Sequence, residues 1–328
     1  MKKTLRLSIV FALFSLGLAA QENTEFKPNG KPVLRIFSNY HATFTEGESA
    51  QAFELTRVYL GYEHNFSEKW SGAALLDVGD PNDGGDFQMT AYVKNAYLKY
   101  KSGDLTINFG LIATTQFKVQ EGAWGYRYIA KSFQDQYKYN SSADLGISVS
   151  HKIGDIGSVD LIVANGEGYK KIEADSTFRT GLGLTLTPVD GLTLRGYYDR
   201  SAKDETQSSI AGFLGYETDM FSLGAEYNKM LNFKFADSED LDGISFFGTF
   251  NMTDHIKLFG RYDNLSSNVP DGETDPWQLS KDGQFFIAGF EYSPVKGIKL
   301  APNYQGWNPA DDTQALVSTF ILNCEVKF

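Results

Sequence analysis

One polar segment, residues 114–141, carries basic side chains in a composition that suits an ion passage. Its basic residues are Lys118, Arg127, Lys131 and Lys138, against the acidic Glu121 and Asp135. The seven other long polar connections together hold twenty acidic and five basic residues. Fixed charges in a narrow, low-dielectric passage act more strongly on an ion than charges on a salt-screened rim. We therefore predict a constriction formed by these four basic side chains, with a weak preference for anions.

The same segment is rich in aromatic residues, which are Phe117, Trp124, Tyr126, Tyr128, Phe133, Tyr137 and Tyr139. Long loops of this composition are usually functional rather than disordered. Folding back into a lumen would bury these rings, and residues 126–134 lack helix breakers. We expect the segment to enter the lumen with a short helix; an external lid packed on its neighbours is the alternative.

A second set of charged residues falls on the water-facing side of the predicted strands. It comprises Arg57, Asp77, Arg195, Asp199, Glu226, Arg261 and Asp263. Charges of both signs on a channel wall create a transverse field that orients polar solutes, although a structural ion pair is the alternative for each. Arg57 and Asp77 fall on one hairpin, near each other. The strand over 87–100 is ambiguous, since strict alternation puts Lys94 and Lys99 on opposite faces.

Catalysis, cofactor binding and nucleic-acid binding have little support. The four histidines (His41, His64, His151 and His255) lie in different predicted elements, and neither HExxH nor GxSxG occurs. A single cysteine, Cys324, excludes internal disulfides and argues against a cysteine metal site. The net charge of −11 opposes nucleic-acid binding. We predict no catalytic residue, cofactor, resident metal or nucleic-acid partner.

Two acidic clusters, residues 80–86 and 237–242, offer oxygen atoms that suit divalent cations. Neither has the twelve-residue spacing of a calcium-binding loop, so solvated loop tips are the simpler interpretation. Bridging of such loops to lipopolysaccharide phosphates through divalent ions is a hypothesis.

The elements that must position these residues are short segments of alternating hydrophobicity. Leu105 and Ile107 share one face of a segment, whereas Thr106 and Asn108 share the other. This period of two is typical of strands with one apolar and one wet face. A soluble β-sandwich would need a second apolar layer to cover those faces, whereas a barrel in a membrane leaves them to lipid.

Seven tight turns alternate with eight longer polar connections, which predicts about sixteen strands. The final segment, 319–328, alternates to the last residue, Phe328, as at the end of bacterial outer-membrane barrels. The fold class is therefore all-β: a transmembrane antiparallel up-and-down barrel with short periplasmic turns and long extracellular loops. A lumen of this size is too wide for side chains to fill, so a water channel is the default.

The amino terminus indicates export. Residues 1–20 have basic residues, then an apolar stretch over 7–18, then small residues, as in a secretory signal peptide. We predict a signal peptide at 1–20, a periplasmic segment at 21–32 and a barrel at 33–328. The barrel would lie in the cell outer membrane, among its lipid and lipopolysaccharide.

Four stretches carry a family resemblance: Phe53–Glu63, Leu75–Gly79, Val93–Leu98 and Leu105–Gly110. They resemble the early strands of the bacterial porins related to phosphate-selective porins, a group common in the Bacteroidetes lineage. The resemblance implies a sixteen-stranded, often trimeric diffusion channel. Phosphate-selective members carry a ladder of arginines and lysines down the bore, whereas here Arg57, Arg195 and Arg261 are scattered beside acidic partners. The resemblance therefore supports a porin better than it supports any one solute.

We accordingly expect a porin, not an enzyme, that passes small polar or ionic solutes by passive diffusion. One alternative is a surface barrel that acts as an adhesin or receptor through its acidic loops. Another is an outer-membrane hydrolase, which would require a close serine–histidine pair.

Overall fold

Sixteen antiparallel strands close into one cylinder in the computed structural model, which describes residues 26–80 and 89–328. Each strand pairs with its neighbours in sequence, and the last strand pairs with the first. The first eight strands are β1 Asn29–Thr45, β2 Glu48–Asn65, β3 Trp70–Gly79, β4 Thr90–Ser102, β5 Leu105–Ala113, β6 Ala143–Lys152, β7 Gly157–Ala164 and β8 Arg179–Leu186. The others are β9 Leu192–Ala202, β10 Thr206–Glu217, β11 Phe221–Leu231, β12 Leu241–Asn251, β13 Ile256–Ser267, β14 Gly283–Val295, β15 Ile298–Pro309 and β16 Val317–Lys327.

The helices are short. They are α1 Lys118–Trp124 and α2 Phe133–Gln136, with single 3₁₀ turns at Phe233–Phe235 and Leu279–Lys281. Within the two described ranges, no helix has the length and apolar character needed to cross a membrane.

Alternation along the strands gives the cylinder two different faces, as predicted. On β5, Phe109 is 66% exposed on the outside, whereas its neighbour Asn108 faces the interior and donates a hydrogen bond to the hydroxyl of Ser148 at 3.0 Å. Because a closed ladder leaves no backbone edge unpaired, such a wall can lie in hydrocarbon.

A β-bulge resolves the ambiguous strand. The register between β3 and β4 runs from Leu75 opposite Asn95 to Leu76 opposite Val93, so Lys94 is the extra residue. An extra residue shifts the alternation by one position. Lys94 and Lys99 consequently both face the interior, contrary to the strict alternation applied to the sequence.

The first strand and its connection to β2 differ from the sequence predictions. β1 begins at Asn29 rather than Val33, and β1 and β2 are joined by Glu46 and Gly47 alone. Both turn residues have positive φ, which suits a two-residue hairpin. The predicted signal peptide at 1–20, and most of the acidic cluster at 80–86, lie outside the described residues.

Adjacent positions on β5 test the assignment of faces. Phe109→Arg should lower the free energy of unfolding in a bilayer by about 2–4 kcal/mol, since Phe109 lies midway along its strand on the outer face, which hydrocarbon would cover there. The matched change Asn108→Arg, on the lumen side, should cost far less. Urea titrations in lipid vesicles measure both, and equal costs would contradict the assignment.

Candidate functional site

The connection between β5 and β6, residues 114–142 (the crossing segment), packs against the inner wall of the barrel. The ring of Trp124 lies 5.7 Å from that of Phe247 and 6.4 Å from that of Phe259, and Tyr126 lies 4.6 Å from Phe259. Phe247 and Phe259 are buried, inward-facing residues of β12 and β13. The aromatic residues of the segment therefore form a core with the wall.

The middle of the crossing segment reaches the far side of the barrel. The hydroxyl of Tyr128 donates a hydrogen bond to Glu291 of β14 at 2.9 Å, and its carbonyl accepts one from Asn323 of β16 at 3.3 Å. Its ring lies 6.2 Å from that of Phe37 on β1. The segment thus extends across the interior from β5 and β6 to β14, β16 and β1.

The helix expected over 126–134 is wrong. α1 ends at Trp124 because Gly125 adopts a left-handed conformation, with φ of 71°, and donates to the carbonyl of Glu121. A turn follows, in which the amide of Ile129 bonds the carbonyl of Tyr126 at 2.8 Å, and α2 begins only at Phe133.

Arg195 on β9 joins the wall to the start of the crossing segment. Its Nη1 and Nη2 lie 2.7 and 3.1 Å from the two carboxylate oxygens of Asp160 on β7. Nη2 also donates to the carbonyl of Thr115 at 2.7 Å. Gly183 on β8 makes room for this arrangement, since a Cβ there would fall on Nη2 of Arg195 and 2.6 Å from Oδ2 of Asp160.

Arg261 on β13 makes the same kind of contact with the middle of the segment. Its Nε and Nη2 lie 2.8 and 2.6 Å from the two oxygens of Asp263. Nη1 donates to the carbonyl of Lys131, and the guanidinium lies 5.2 Å from the centre of the Trp124 ring.

Arg179 on β8, which the sequence analysis missed, contacts the end of the segment. Its Nη1 donates to the carbonyl of Tyr139 at 3.1 Å, and its Nε lies 3.8 Å from Oδ1 of Asp199. Arg179 shares the inward face of β8 with Gly181 and Gly183, and Asp199 on β9 lies opposite Gly181. That shared face was the sequence signal that could have identified it.

Five of the predicted pore-wall charges lie on the inner face as expected, but they are covered rather than open to water, which favours the structural alternative for them. The residues concerned are Arg195, Asp199, Glu226, Arg261 and Asp263, each at most 5% exposed. They are covered because the crossing segment packs over β7–β13. Glu226 is likewise buried and accepts a hydrogen bond from Asn228 at 3.2 Å.

Arg57 and Asp77 lie on the other side of the interior and form the expected pair. Nη1 of Arg57 lies 3.2 Å from Oδ2 of Asp77 and 3.2 Å from the hydroxyl of Tyr59. Tyr169, from the loop between β7 and β8, donates to Asp77 at 2.7 Å. The bulged Lys94 lies beside them, with its Nζ 3.3 Å from the hydroxyl of Tyr59.

Two of the predicted constriction residues, Arg127 and Lys131, lie in the same region as Arg57 and Asp77. Arg127 lies 3.7 Å from Glu121 and 3.4 Å from Asp135, and Nζ of Lys131 lies 3.9 Å from Asp135. Burial lowers the pKa of the Lys131 ammonium, and the Asp135 carboxylate partly offsets that shift.

The other two constriction candidates lie apart. Lys118, at the start of α1, is exposed and lines a cavity along β4–β9 together with Lys99 and Asn108. Lys138 is exposed, with φ of 61°, and forms no ion pair within the described ranges.

Lys170, which the sequence did not single out, also lies in the region of Arg57 and Asp77. Its Nζ lies 4.6 Å from the centre of the Tyr92 ring, and Tyr92 packs edge-on against Tyr169 at 6.4 Å. Nothing in a loop that is acidic overall indicated that Lys170 would fold over β4. For residues 26–80 and 89–328, no carboxylate lies within 4.0 Å of the ammonium groups of Lys94, Lys99, Lys118 or Lys170.

The acidic cluster at 237–242 is used within the protein. Asp240 accepts a hydrogen bond from the amide of Asn232 at 3.0 Å, and Asp242 accepts one from Tyr227 at 2.6 Å. In the part of the chain that the structure describes, the carboxylates that could share a cation are Glu167, Glu173 and Asp175, whose ligand atoms lie within 4.8 Å of one another.

The histidines do not form a hydrolytic pair. His41 contacts Asn39 at 3.1 Å, and His255 contacts the backbone carbonyl of Ser293 at 2.9 Å. No histidine ring among residues 26–80 and 89–328 is hydrogen-bonded to a serine hydroxyl.

Comparisons by sequence and by structure give different results. No family profile matches the chain. No curated protein matches it either. OmpF of Salmonella typhi, in complex with daunomycin, superposes with a TM-score of 0.70 at 12% identity, over 90% of this chain and 97% of that one.

Two further solved structures are similar. The anion-selective porin from Comamonas acidovorans gives a TM-score of 0.68 at 10% identity, over 92% of this chain and 100% of that one. The outer-membrane channel DcaP of Acinetobacter baumannii gives 0.67 at 11% identity, over 94% and 100%. The chain therefore has the sixteen-stranded fold of outer-membrane porins.

The close packing of Arg195 on Gly183 yields a test of the site geometry. Gly183→Ala should destabilise the barrel by about 1–3 kcal/mol, since the new methyl group collides with the Arg195–Asp160 pair. Gly196→Ala on β9 is the control, because its Cβ would meet nothing within 4 Å. Unfolding titrations measure both; equal stability of the two variants would show that the pair is not packed in this way.

Proposed function

We propose that this chain is an outer-membrane porin through which small polar and ionic solutes diffuse passively, with a preference for anions. The crossing segment would narrow the bore and leave a passage beside β2–β6. The porin fold and the structural likeness to outer-membrane channels support this proposal. We also propose that residues 1–20 are a signal peptide, that lipid and lipopolysaccharide surround the barrel, and that the protein has no catalytic activity.

The anion preference rests on one observation, the excess of positive charge beside the passage. Among residues 26–80 and 89–328, Lys94, Lys99, Lys118 and Lys170 have no carboxylate within 4.0 Å of their ammonium groups. Arg57, Arg127 and Lys131 add three positive charges, against Asp77, Glu121 and Asp135. Cations in a low-dielectric passage raise the local concentration of anions.

The arrangement favours selection by charge over selection for phosphate. Lys94 and Lys170 rest on tyrosine rings, at 4.9 Å from the centre of Tyr59 and 4.6 Å from that of Tyr92. A lysine ammonium acts as a point charge, whereas the arginine fork matches phosphate geometry. These lysines therefore favour an anion channel without a dedicated phosphate site.

A trimer is part of the proposal as well. OmpT of Vibrio cholerae, solved in a trimer form, is similar to this chain with a TM-score of 0.58 at 15% identity, over 91% of this chain and 99% of that one.

Replacing Lys94 and Lys170 should weaken the anion preference. A unit charge about 4 Å from an ion is worth about 1 kcal/mol even in bulk water. Lys94→Gln with Lys170→Gln should therefore lower the anion-to-cation permeability ratio several-fold. Reversal potentials across planar bilayers under a salt gradient measure this ratio. Lys296→Gln, at the exposed turn between β14 and β15, is the control. An unchanged ratio in the double variant would reject the proposed role of these lysines.

The anion preference should also fall at alkaline pH. Lys131 carries its positive charge below its pKa and loses it above, and burial places that pKa below the ordinary value of about 10.4. Reversal potentials should thus shift towards cations as the pH approaches that value from below. Lys131→Arg, which stays charged, should reduce this shift. Identical pH profiles for both proteins would contradict the contribution of Lys131.

A further inference from the structure

We propose that Arg179, Arg195 and Arg261 are positioning residues that set the width of the passage by fixing the backbone of the crossing segment. Arg195 and Arg261 each hydrogen-bond a carboxylate of the wall, and Arg179 lies 3.8 Å from one. Each of the three also donates an N–H to a carbonyl of the segment. The three carbonyls belong to Thr115, Lys131 and Tyr139, near the start, in the middle and near the end of the segment. The effect on solute passage rests on the proposed function, whereas the effect on the segment does not.

The chemistry requires arginine. A guanidinium presents five N–H donors in a rigid plane, so one edge can hold a carboxylate while another donor reaches a carbonyl. Arg261 shows this division, with Nε and Nη2 on Asp263 and Nη1 on the carbonyl of Lys131. A lysine ammonium lacks the fork that makes both contacts in fixed directions.

The crossing segment needs such contacts because its own structure is irregular. α1 has seven residues and α2 has four, so most carbonyls of the segment lack helical partners. Buried carbonyls cost free energy unless a donor reaches them. The packing of Trp124 and Tyr126 on Phe259 is strong but non-directional, so it holds the segment to the wall without fixing its position along the wall.

Each arginine is neutralised by its own carboxylate, Asp199, Asp160 or Asp263. The three pairs are buried and add no net charge to the interior. Their loss should therefore change the width of the passage and leave its charge preference intact. A wall charge acting through a transverse field would do the opposite, altering selectivity at constant width.

Removing both partners of the middle contact provides the test. Arg261→Met with Asp263→Leu releases the carbonyl of Lys131. Glu226, the other buried carboxylate that Arg261 attracts, is changed to Gln in the same variant, so that no buried charge is left without its partner, which favours folding. Arg261→Lys keeps the positive charge and loses the planar set of N–H donors. It tests the positioning role of Arg261 if the variant without the ion pair does not fold. Arg35→Met is the control, since Arg35 pairs with Glu325 at 3.3 Å on the inner wall of β1 and, among the described residues, forms no hydrogen bond or ion pair with the segment.

Two measurements are made on each folded barrel. The first is single-channel conductance, with its exclusion limit for neutral polymers and its reversal potential. The second is quenching of Trp124 fluorescence by acrylamide, in a background where Trp70, Trp277 and Trp307 are phenylalanine. The second measurement reports on the segment whether or not the barrel conducts.

The proposal predicts a higher conductance, a larger exclusion limit and stronger quenching for the Arg261 variants, with the reversal potential of the parent protein. Arg35→Met should match the parent in exclusion limit and in quenching. Parent-like quenching and exclusion limit in folded Arg261 variants would overturn the positioning role. A barrel that conducts no ions would instead overturn the proposed function, and quenching would still decide the role of Arg261.

Discussion

The closed ladder of backbone hydrogen bonds is the constraint on which the rest of this structure depends. Lipid offers no partner for an exposed amide or carbonyl, so the wall must return to its first strand, as β16 does by pairing with β1. Closure at sixteen strands leaves a lumen wider than side chains alone can fill. The crossing segment is the element that packs inside this cylinder, against the inner wall of β12 and β13.

Charged residues on the two sides of the interior have different environments. On the β7–β13 side, arginines are paired with carboxylates, buried and turned towards the backbone of the segment. On the β2–β6 side, lysines are half-buried or exposed, and four of them lack a carboxylate within 4.0 Å in the described part of the chain. Neutral pairs suit a structural contact, because they add little to the electric field that the other charged groups create in the interior.

The fold was accessible from sequence because its signal is repeated many times. The strands alternate, the tight turns carry glycine, aspartate, proline or serine, and the number of strands follows from the number of turns and loops. One β-bulge was enough to make the same reasoning assign the wrong faces within β4. The bulge at Lys94 reverses the alternation within β4, and it depends on the register with β3, which the sequence of β4 does not contain.

The site was less accessible for a related reason. Period-two reasoning correctly put Arg195 and Arg261 on the inner face, but it could not distinguish an inner face open to water from one covered by the crossing segment. That distinction depends on contacts between residues far apart in sequence, such as Arg261 with the carbonyl of Lys131. Lys170 was missed for the same reason, since its partner Tyr92 lies on a distant strand.

The most direct test of an open but narrowed bore is the entry of neutral solutes into liposomes that contain the purified wild-type protein. Neutral sugars of graded size remove charge from the measurement. The account predicts rapid entry of the smallest sugars and a steep fall in rate with size. Failure of even the smallest sugar to enter would mean a sealed barrel and would contradict the account.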